Sequence, residues 1–550
     1  MTTPKIRRPA LSTSVWHAEP DPADSDSTIG DALALAALQW ENRTALVEGI
    51  VGGHARRWTF RELLDESTRV ARGLLRRFAP GEHLAVWAAN GPEWIQLEFG
   101  AALAGLTLVT VNPAFRQAEL SYVLRQSRAA GVVVQPRYRS RDLLSMVDTA
   151  LEGTQVREVI SLGDWNEFLA SGDNVGSLRD PLPNVLPTDP AQIQYTSGTT
   201  GRPKGALLSH RGLVANARRY ASVIGARTDD VWINPMPLFH TAGCGLVTLG
   251  ALQTGGCHVI PPRFDADLML DLFEAERGTV MLSVPTMLIR MLERQDEAPR
   301  DVSSWRLTTL GGAPVPLELA LRAGRDLGVE VGIGYGQTES SPYITHTESG
   351  DQSTETLSTV GRPLPGIEVK IADPDGGDAV AVGELGEVCT RSTCVMTAYF
   401  DDAGATSETV DTDGWLHTGD LGTMDESGFV RILGRLKDMI IRGGENIFPR
   451  EIEDVLYTCP DVGAVTVVGV PDPEWGEVVA AFVVAAPGAR LTEDELTAFC
   501  GARLASFKIP QIWQFRTELP QTASGKIQKF VLRDQYLANS HGYADSIAAD

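Results

Sequence analysis

A chain of 550 residues, 43% hydrophobic and 22% charged, has material for a large core and about three to four domain-sized units. Its formal charge is −23, from 48 basic and 71 acidic residues, which disfavours non-specific binding to nucleic acid or to an anionic membrane. Six cysteines with no Cys-x-x-Cys pair argue against a disulfide framework and against the common zinc and redox motifs. Lys5, Arg7 and Arg8 are followed by no apolar run of signal-peptide type. The longest early apolar run, 99–111, falls short of the roughly 20 residues a membrane helix needs. A cytoplasmic protein with no transmembrane segment is the expectation.

In chain order, residues 1–27 are acidic and rich in Pro and Ser, and read as a flexible arm. A helix is expected over 28–38, then strands over 44–47 and 57–60. Thr59 and Glu62 have capping-box spacing ahead of an apolar-periodic run. Strands over 84–87, 106–111 and 131–135 alternate with helices from 93 and over 119–128, the rhythm of a parallel α/β sheet. Past 152 the pattern weakens, and 171–190 reads as a long loop. The rhythm returns with strands over 231–234, 258–260, 280–283 and 307–310 and helices over 245–252 and 266–277. From about 359 short strands with Gly turns suggest a small antiparallel unit. Past 434 a compact α+β unit follows, with a helix over 449–457, strands over 464–470 and 478–484, a helix over 492–504 and a basic tail with Lys526 and Lys529.

The densest chemistry lies in Tyr195-Thr-Ser-Gly-Thr-Thr-Gly-Arg-Pro-Lys-Gly205. It holds four small hydroxyl side chains, three glycines and one lysine. Glycine lets backbone approach a ligand, hydroxyls and N–H groups surround phosphate oxygens, and lysine adds a point charge. A strand-like run precedes it and a helix-like run over 207–220 follows. The spacing is not that of a Walker A loop, which needs Gly-Lys-Ser/Thr four residues after its first Gly. Gly311-Gly-Ala-Pro314 follows a strand and could let a flat ligand lie on backbone; alone it is equally a tight turn. Tyr335-Gly-Gln-Thr-Glu339 offers an aromatic face, a glycine, a hydroxyl and a carboxylate suited to Mg²⁺. Asp420, in Thr418-Gly-Asp420, could accept both hydroxyls of a ribose, or be a plain turn residue. Gly434-Arg-Leu-Lys-Asp438 and Arg442-Gly-Gly-Glu-Asn446 form a basic, Gly-rich junction of hinge type. Lys526 stands behind Ser-Gly. His240, beside apolar residues, reads first as a packed group. No His-Glu-x-x-His or Gly-x-Ser-x-Gly pattern is present.

Together and in this order, these motifs resemble the adenylate-forming superfamily of acyl-CoA synthetases, peptide-synthetase adenylation domains and beetle luciferases. The resemblance covers residues 28 to 533. It implies an α/β fold with a small β subdomain. A large N-terminal domain of α/β subdomains would carry a mobile α+β C-terminal domain. The expected boundaries are an arm 1–27, an AMP-binding domain 28–434 and a C-terminal domain 435–550, hinged near Lys437.

The resemblance also implies two half-reactions: a carboxylate attacks the α-phosphorus of Mg-ATP to give acyl-AMP, then a thiol takes the acyl group. Thr196, Ser197, Gly198, Thr199, Thr200, Gly201 and Lys204 would grip the β,γ-phosphates. Gly312, Ala313 and Tyr335 would line adenine, and Pro314, Gly336 and Gln337 would also belong to the cofactor site. Thr338 would meet the α-phosphate and Glu339 the Mg²⁺. Asp420 and Arg435 would bind ribose. Lys526 would bridge the carboxylate and α-phosphate in the first half-reaction, and Gly443, Gly444 and Glu445 would line the coenzyme A channel in the second.

The acid pocket is expected among Trp232, His240, Thr241, Gly243, Gly245, Ile333, Tyr343 and Ile344, with His240 as a gate. Glycines 243 and 245 would leave room for a chain or ring. A medium- or long-chain fatty acid is favoured, with an aryl acid (coumarate or benzoate type) as the alternative. The same motifs are open to three rival functions: an acyl-AMP ligase loading a carrier protein, a luciferase-like monooxygenase and a nucleotide-binding module without turnover. A homodimer is compatible with the sequence.

Overall fold

The computed structural model describes residues 10–18, 21, 26–173, 181–196, 203–486, 488–521 and 527–547. The strand–helix rhythm builds two large sheets. The first runs, edge to edge, Ala398–Tyr399, Lys204–Ser209, Pro190–Thr196, Thr107–Val111, His83–Trp87, Gly131–Val134 and Glu158–Ser161. Its last five strands are parallel, and the pair Pro190–Thr196 and Lys204–Ser209 is an antiparallel hairpin. The second runs Arg362–Pro363, Tyr343–His346, Glu330–Gly336, Leu307–Leu310, Val280–Ser283, Val231–Ile233, Cys257–Ile260, Thr44–Glu48 and Arg57–Thr59. Central strands such as Val280–Ser283 and Thr107–Val111 are buried along their whole length, as a sheet covered by helices on both faces requires.

Local sequence explains the helices. Thr59 accepts the Glu62 N–H at 3.2 Å while the Glu62 carboxylate accepts the Thr59 N–H at 2.8 Å, the expected capping box. The helix it opens, Phe60–Leu75, buries Phe60, Leu63, Val70 and Leu74 on one face.

The antiparallel unit comprises Glu368–Ala372, Gly386–Arg391, Leu416–Met424 and Val430–Arg435. Its outer strand comes from the segment expected to be a flexible arm. Val15–Trp16 pairs with Glu368–Ala372, and Trp16 is only 7% exposed. An indole buries a large apolar area, and one such anchor outweighs the polar composition around it.

Other elements also differ from expectation. The run 207–220 is split into the strand Lys204–Ser209 and the helix His210–Val223, capped by the Ser209 hydroxyl. Helices Leu143–Ala150, Trp165–Asp173, Pro285–Glu297 and Leu317–Leu327 were not anticipated. The helix expected over 245–252 is a π-helical stretch, Ala242–Thr248, continuing as an α-helix Leu249–Thr254.

Past Gly434 a hairpin, Ile440–Arg442 with Glu445–Ile447, joins the strands Gly476–Ala485, Val462–Asp472 and Ile512–Phe515. This unit has its own core, including Ile440, Ile452, Leu456, Val467, Val479 and Trp513. It touches the antiparallel unit through Arg450, whose Nη1 donates to the Ile432 carbonyl at 2.7 Å. All six cysteines are unpaired. Among the described residues, no helix is long and apolar enough to cross a membrane.

Candidate active site

The signature stretch begins and ends on two antiparallel strands, Pro190–Thr196 and Lys204–Ser209. Thr196 ends one strand and pairs with Lys204 at the start of the next. Gly205 is required by packing, since a Cβ there would lie 2.8 Å from Ile193 Cγ2. Ser197, Gly198, Thr199, Thr200 and Gly201 lie outside the described residues.

Lys204 Nζ stands 5.0 Å from the ring centroid of Tyr399, a cation–π distance. The Tyr399 hydroxyl donates to Glu339 Oε1 at 2.6 Å. Burial, reinforced by the Glu339 charge, pushes the Tyr399 phenol up, so it remains a donor. Glu339 is 8% exposed, and its other oxygen takes no hydrogen bond from a described residue. One buried carboxylate with an uncommitted oxygen suits Mg²⁺, which takes one or two carboxylates and completes its shell with water and phosphate oxygens. Tyr399 was missed in the sequence because it lies about 60 residues beyond Glu339 in no recognisable motif.

A second line of contacts converges on Asp420. Tyr335 Oη donates to Asp420 Oδ2 at 2.7 Å, and Arg435 Nε donates to Oδ1 at 3.0 Å. Asp420 and Arg435 are register partners on adjacent antiparallel strands. Burial keeps the Tyr335 phenol protonated, and the Asp420 charge holds Arg435 above its ordinary value.

Tyr335 and Gly336 end the strand Glu330–Gly336, and Thr338 and Glu339 follow in a 3₁₀ turn. Gly336 admits no side chain, because a Cβ would sit 1.9 Å from the Pro342 carbonyl oxygen. Gln337 is fixed by its N–H to the same carbonyl at 3.0 Å. Across the strand end, Gly312 adopts φ +75° and is exposed, with Ala313 and Pro314 beside it. This is backbone on which a flat base can lie.

A family model described as AMP-binding enzyme matches residues 33–400, and one described as AMP-binding enzyme C-terminal domain matches 451–526. The chain belongs to the AMP-binding enzyme family. It is 38% identical to a putative acyl-CoA synthetase, YngI, of Bacillus subtilis (strain 168), over 92% of this chain and 97% of that protein. It is 35% identical to the mitochondrial medium-chain acyl-CoA ligase ACSF2 of Bos taurus, over 93% and 88%. ATP-bound MatB from Rhodopseudomonas palustris superposes with a TM-score of 0.84 at 29% identity, covering 93% of this chain and 99% of that one. The family's activity here is that of an ATP-dependent acid–CoA ligase, within the adenylate-forming fold.

The remaining site positions of this AMP-binding enzyme are scattered by comparison. Lys437 is exposed in a 3₁₀ turn, Leu436–Asp438, at the entry to the C-terminal unit. Gly443 and Gly444 form the two-residue turn of its first hairpin with φ +58° and +90°, as a type I′ turn demands, and Glu445 follows, exposed. Lys526 lies outside the described residues, in a segment bracketed by the bridge between Gln521 and Ile527.

The pocket candidates need correction. Trp232 is 0% exposed and packs edge-on to Tyr220, so it is core. Gly243 does not make room for an acid. A Cβ there would meet the Pro237 carbonyl oxygen at 2.3 Å, so this glycine serves backbone packing. A Cβ on Gly245 would meet Leu213 Cδ2 at 3.5 Å, an ordinary contact. His240 is half-buried and tilted against Phe239 at 4.5 Å, and Thr241 is buried beside it. Ile333, Tyr343 and Ile344 are buried, with Tyr343 Oη 2.4 Å from where a Gly311 Cβ would stand.

Proposed function

We propose that the chain activates an apolar carboxylic acid, a medium- or long-chain fatty acid first, as acyl-AMP with release of pyrophosphate, and then passes the acyl group to the CoA thiol. The observation that carries the acid class is the chemistry of the segments 232–249 and 331–346, in which the only carboxylate is Glu339 and no Lys or Arg occurs. A second charge on the acid would find no partner there, and burying it unpaired is costly. The name of the bovine relative, a medium-chain ligase, supports the same class.

In this reading Thr196 to Lys204 hold the β,γ-phosphates, Tyr335 and the 312–314 turn hold adenine, and Asp420 with Arg435 holds ribose. Thr338 meets the α-phosphate. Glu339 would hold Mg²⁺, which would supply positive charge against the phosphates. Lys526 stabilises charge on the α-phosphoryl group during attack, without transferring a proton. Domains 28–434 and 435–550 turn about Lys437 between the half-reactions, bringing Gly443, Gly444 and Glu445 to the thiol. His240 gates the acid pocket. Six unpaired cysteines fit a reducing, cytoplasmic setting.

The test is AMP formation from ATP, Mg²⁺ and CoA with saturated acids of graded chain length, benzoate, coumarate and a dicarboxylate. Highest kcat/KM on an aliphatic monoacid is expected. Preference for an aryl acid or a dicarboxylate, or acyl transfer only to a carrier protein, would overturn the reading.

A further inference from the structure

The strands Gly386–Arg391 and Leu416–Met424 are out of step where they pass the ribose carboxylate. Glu387 pairs with Leu421 and Cys389 with His417, so Val388 alone stands opposite Thr418, Gly419 and Asp420. Such a bulge re-aims side chains and leaves backbone groups without ladder partners. Three bonds replace the ladder. The Thr418 hydroxyl donates to the Val388 carbonyl at 2.6 Å, the Asp420 N–H donates to Thr418 Oγ1 at 3.1 Å, and the Gly419 N–H donates to Glu387 Oε1 at 2.9 Å. Gly419 takes φ +70° to do so.

Glu387 Oε2 is equally committed. It lies 2.7 Å from His417 Nδ1, and His417 Nε2 is 3.6 Å from Asp411 Oδ2. One buried carboxylate therefore spans the bulge, with one oxygen on its middle residue and the other on the residue before it. Cys389 Sγ is also 3.5 Å from His417 Nδ1. The Glu–His separation is that of a hydrogen bond, and burial pushes the Cys389 thiol up to about 12, so the trio is a hydrogen-bonded clamp.

We propose that Glu387 is a positioning residue for the nucleotide: by holding Gly419 and His417 it fixes the bulge that aims Asp420 at the ribose hydroxyls. The inference rests on the reading of Asp420 as the ribose acceptor. Glu387 touches no substrate, and it acts on the nucleotide through Asp420. Its loss would let the bulge relax toward regular pairing, rotating the Asp420 carboxylate away from Tyr335, Arg435 and the sugar.

The experiment compares ATP with 2′,3′-dideoxy-ATP in acid-dependent pyrophosphate release by the full chain. The readout is the ratio of the two kcat/KM values, which a purely scaffolding role would not move. Wild type should prefer ATP, and Asp420→Asn should lose most of that preference. Glu387→Ala should cut the preference at least tenfold, chiefly by raising KM for ATP, with KM for CoA unchanged. Glu387→Gln, which keeps an acceptor for the Gly419 N–H, should restore most of it. A folded Glu387→Ala protein with the wild-type ratio, or a Gln variant as poor as Ala, overturns the inference. If the Ala variant does not fold, His417→Ala decides: a reduced ratio supports the clamp and an unchanged one overturns it. An indifferent wild type, or an unaffected Asp420→Asn, instead removes the ribose reading itself.

Discussion

The Tyr399 hydroxyl donates to Glu339 at 2.6 Å while the Tyr399 ring faces Lys204. One aromatic side chain thus joins the strand that carries the signature lysine to the carboxylate proposed for Mg²⁺. Tyr399→Phe keeps the ring and removes only the donor. Adenylation should fall about tenfold, the equivalent of about 1.4 kcal/mol, with a shifted Mg²⁺ dependence. Pyrophosphate release across a Mg²⁺ titration measures both. An unchanged Mg²⁺ midpoint would separate Tyr399 from the metal.

Lys526→Ala should slow acyl-AMP formation by about 10²–10³, the usual cost of one group aimed at developing charge. Thioester formation from supplied acyl-AMP should be largely spared. Equal loss in both half-reactions would remove Lys526 from the α-phosphate.

Lys437→Pro should slow thioester formation more than adenylation, because proline fixes φ where a domain rotation needs freedom. Single-turnover assays of the two steps test this, and equal rates in both would place the hinge elsewhere.

Glu98 is 2% exposed beneath the signature hairpin and accepts from Gln192 Nε2 at 2.7 Å. Burial holds its carboxyl well above the usual range, which favours the neutral acid in the folded state. The stability this group contributes is fully present below the unfolded pKa of about 4.3 and is lost as pH rises toward the folded value. Glu98→Gln mimics the neutral acid and should show none of this loss. The wild type should therefore weaken relative to the variant as pH rises above the unfolded value in urea unfolding. Parallel curves would mean that Glu98 is ionised in the fold.

Gly243→Ala should destabilise the protein, since its Cβ would strike the Pro237 carbonyl. Gly245→Ala should fold normally and report on the acid alone, through KM. Thermal unfolding with acid kinetics separates the two, and a stable Gly243→Ala enzyme would contradict the packing role.

Local chemistry alone set much of this molecule. The Thr59–Glu62 cap, the strand over 84–87, the glycine turn at 443–444 and the carboxylate of Glu339 are written in contiguous residues, and short-range sterics and hydrogen bonding decide them. The expectation of a phosphate grip likewise came from contiguous residues, because Tyr195 to Gly205 gathers hydroxyls, glycines and a lysine in one stretch. What the tertiary structure alone decided are relations across long separations. Trp16 leaves its polar arm to complete a sheet 350 residues away, because burying an indole outweighs local composition. Trp232 and Gly243 turn out to serve packing, since burial depends on neighbours brought from other strands. Tyr399 and Glu387 carry no motif and meet their partners only once separate strands and turns are brought side by side. A hydrogen bond of 2.6 or 2.9 Å is a property of that convergence, and no local pattern encodes it.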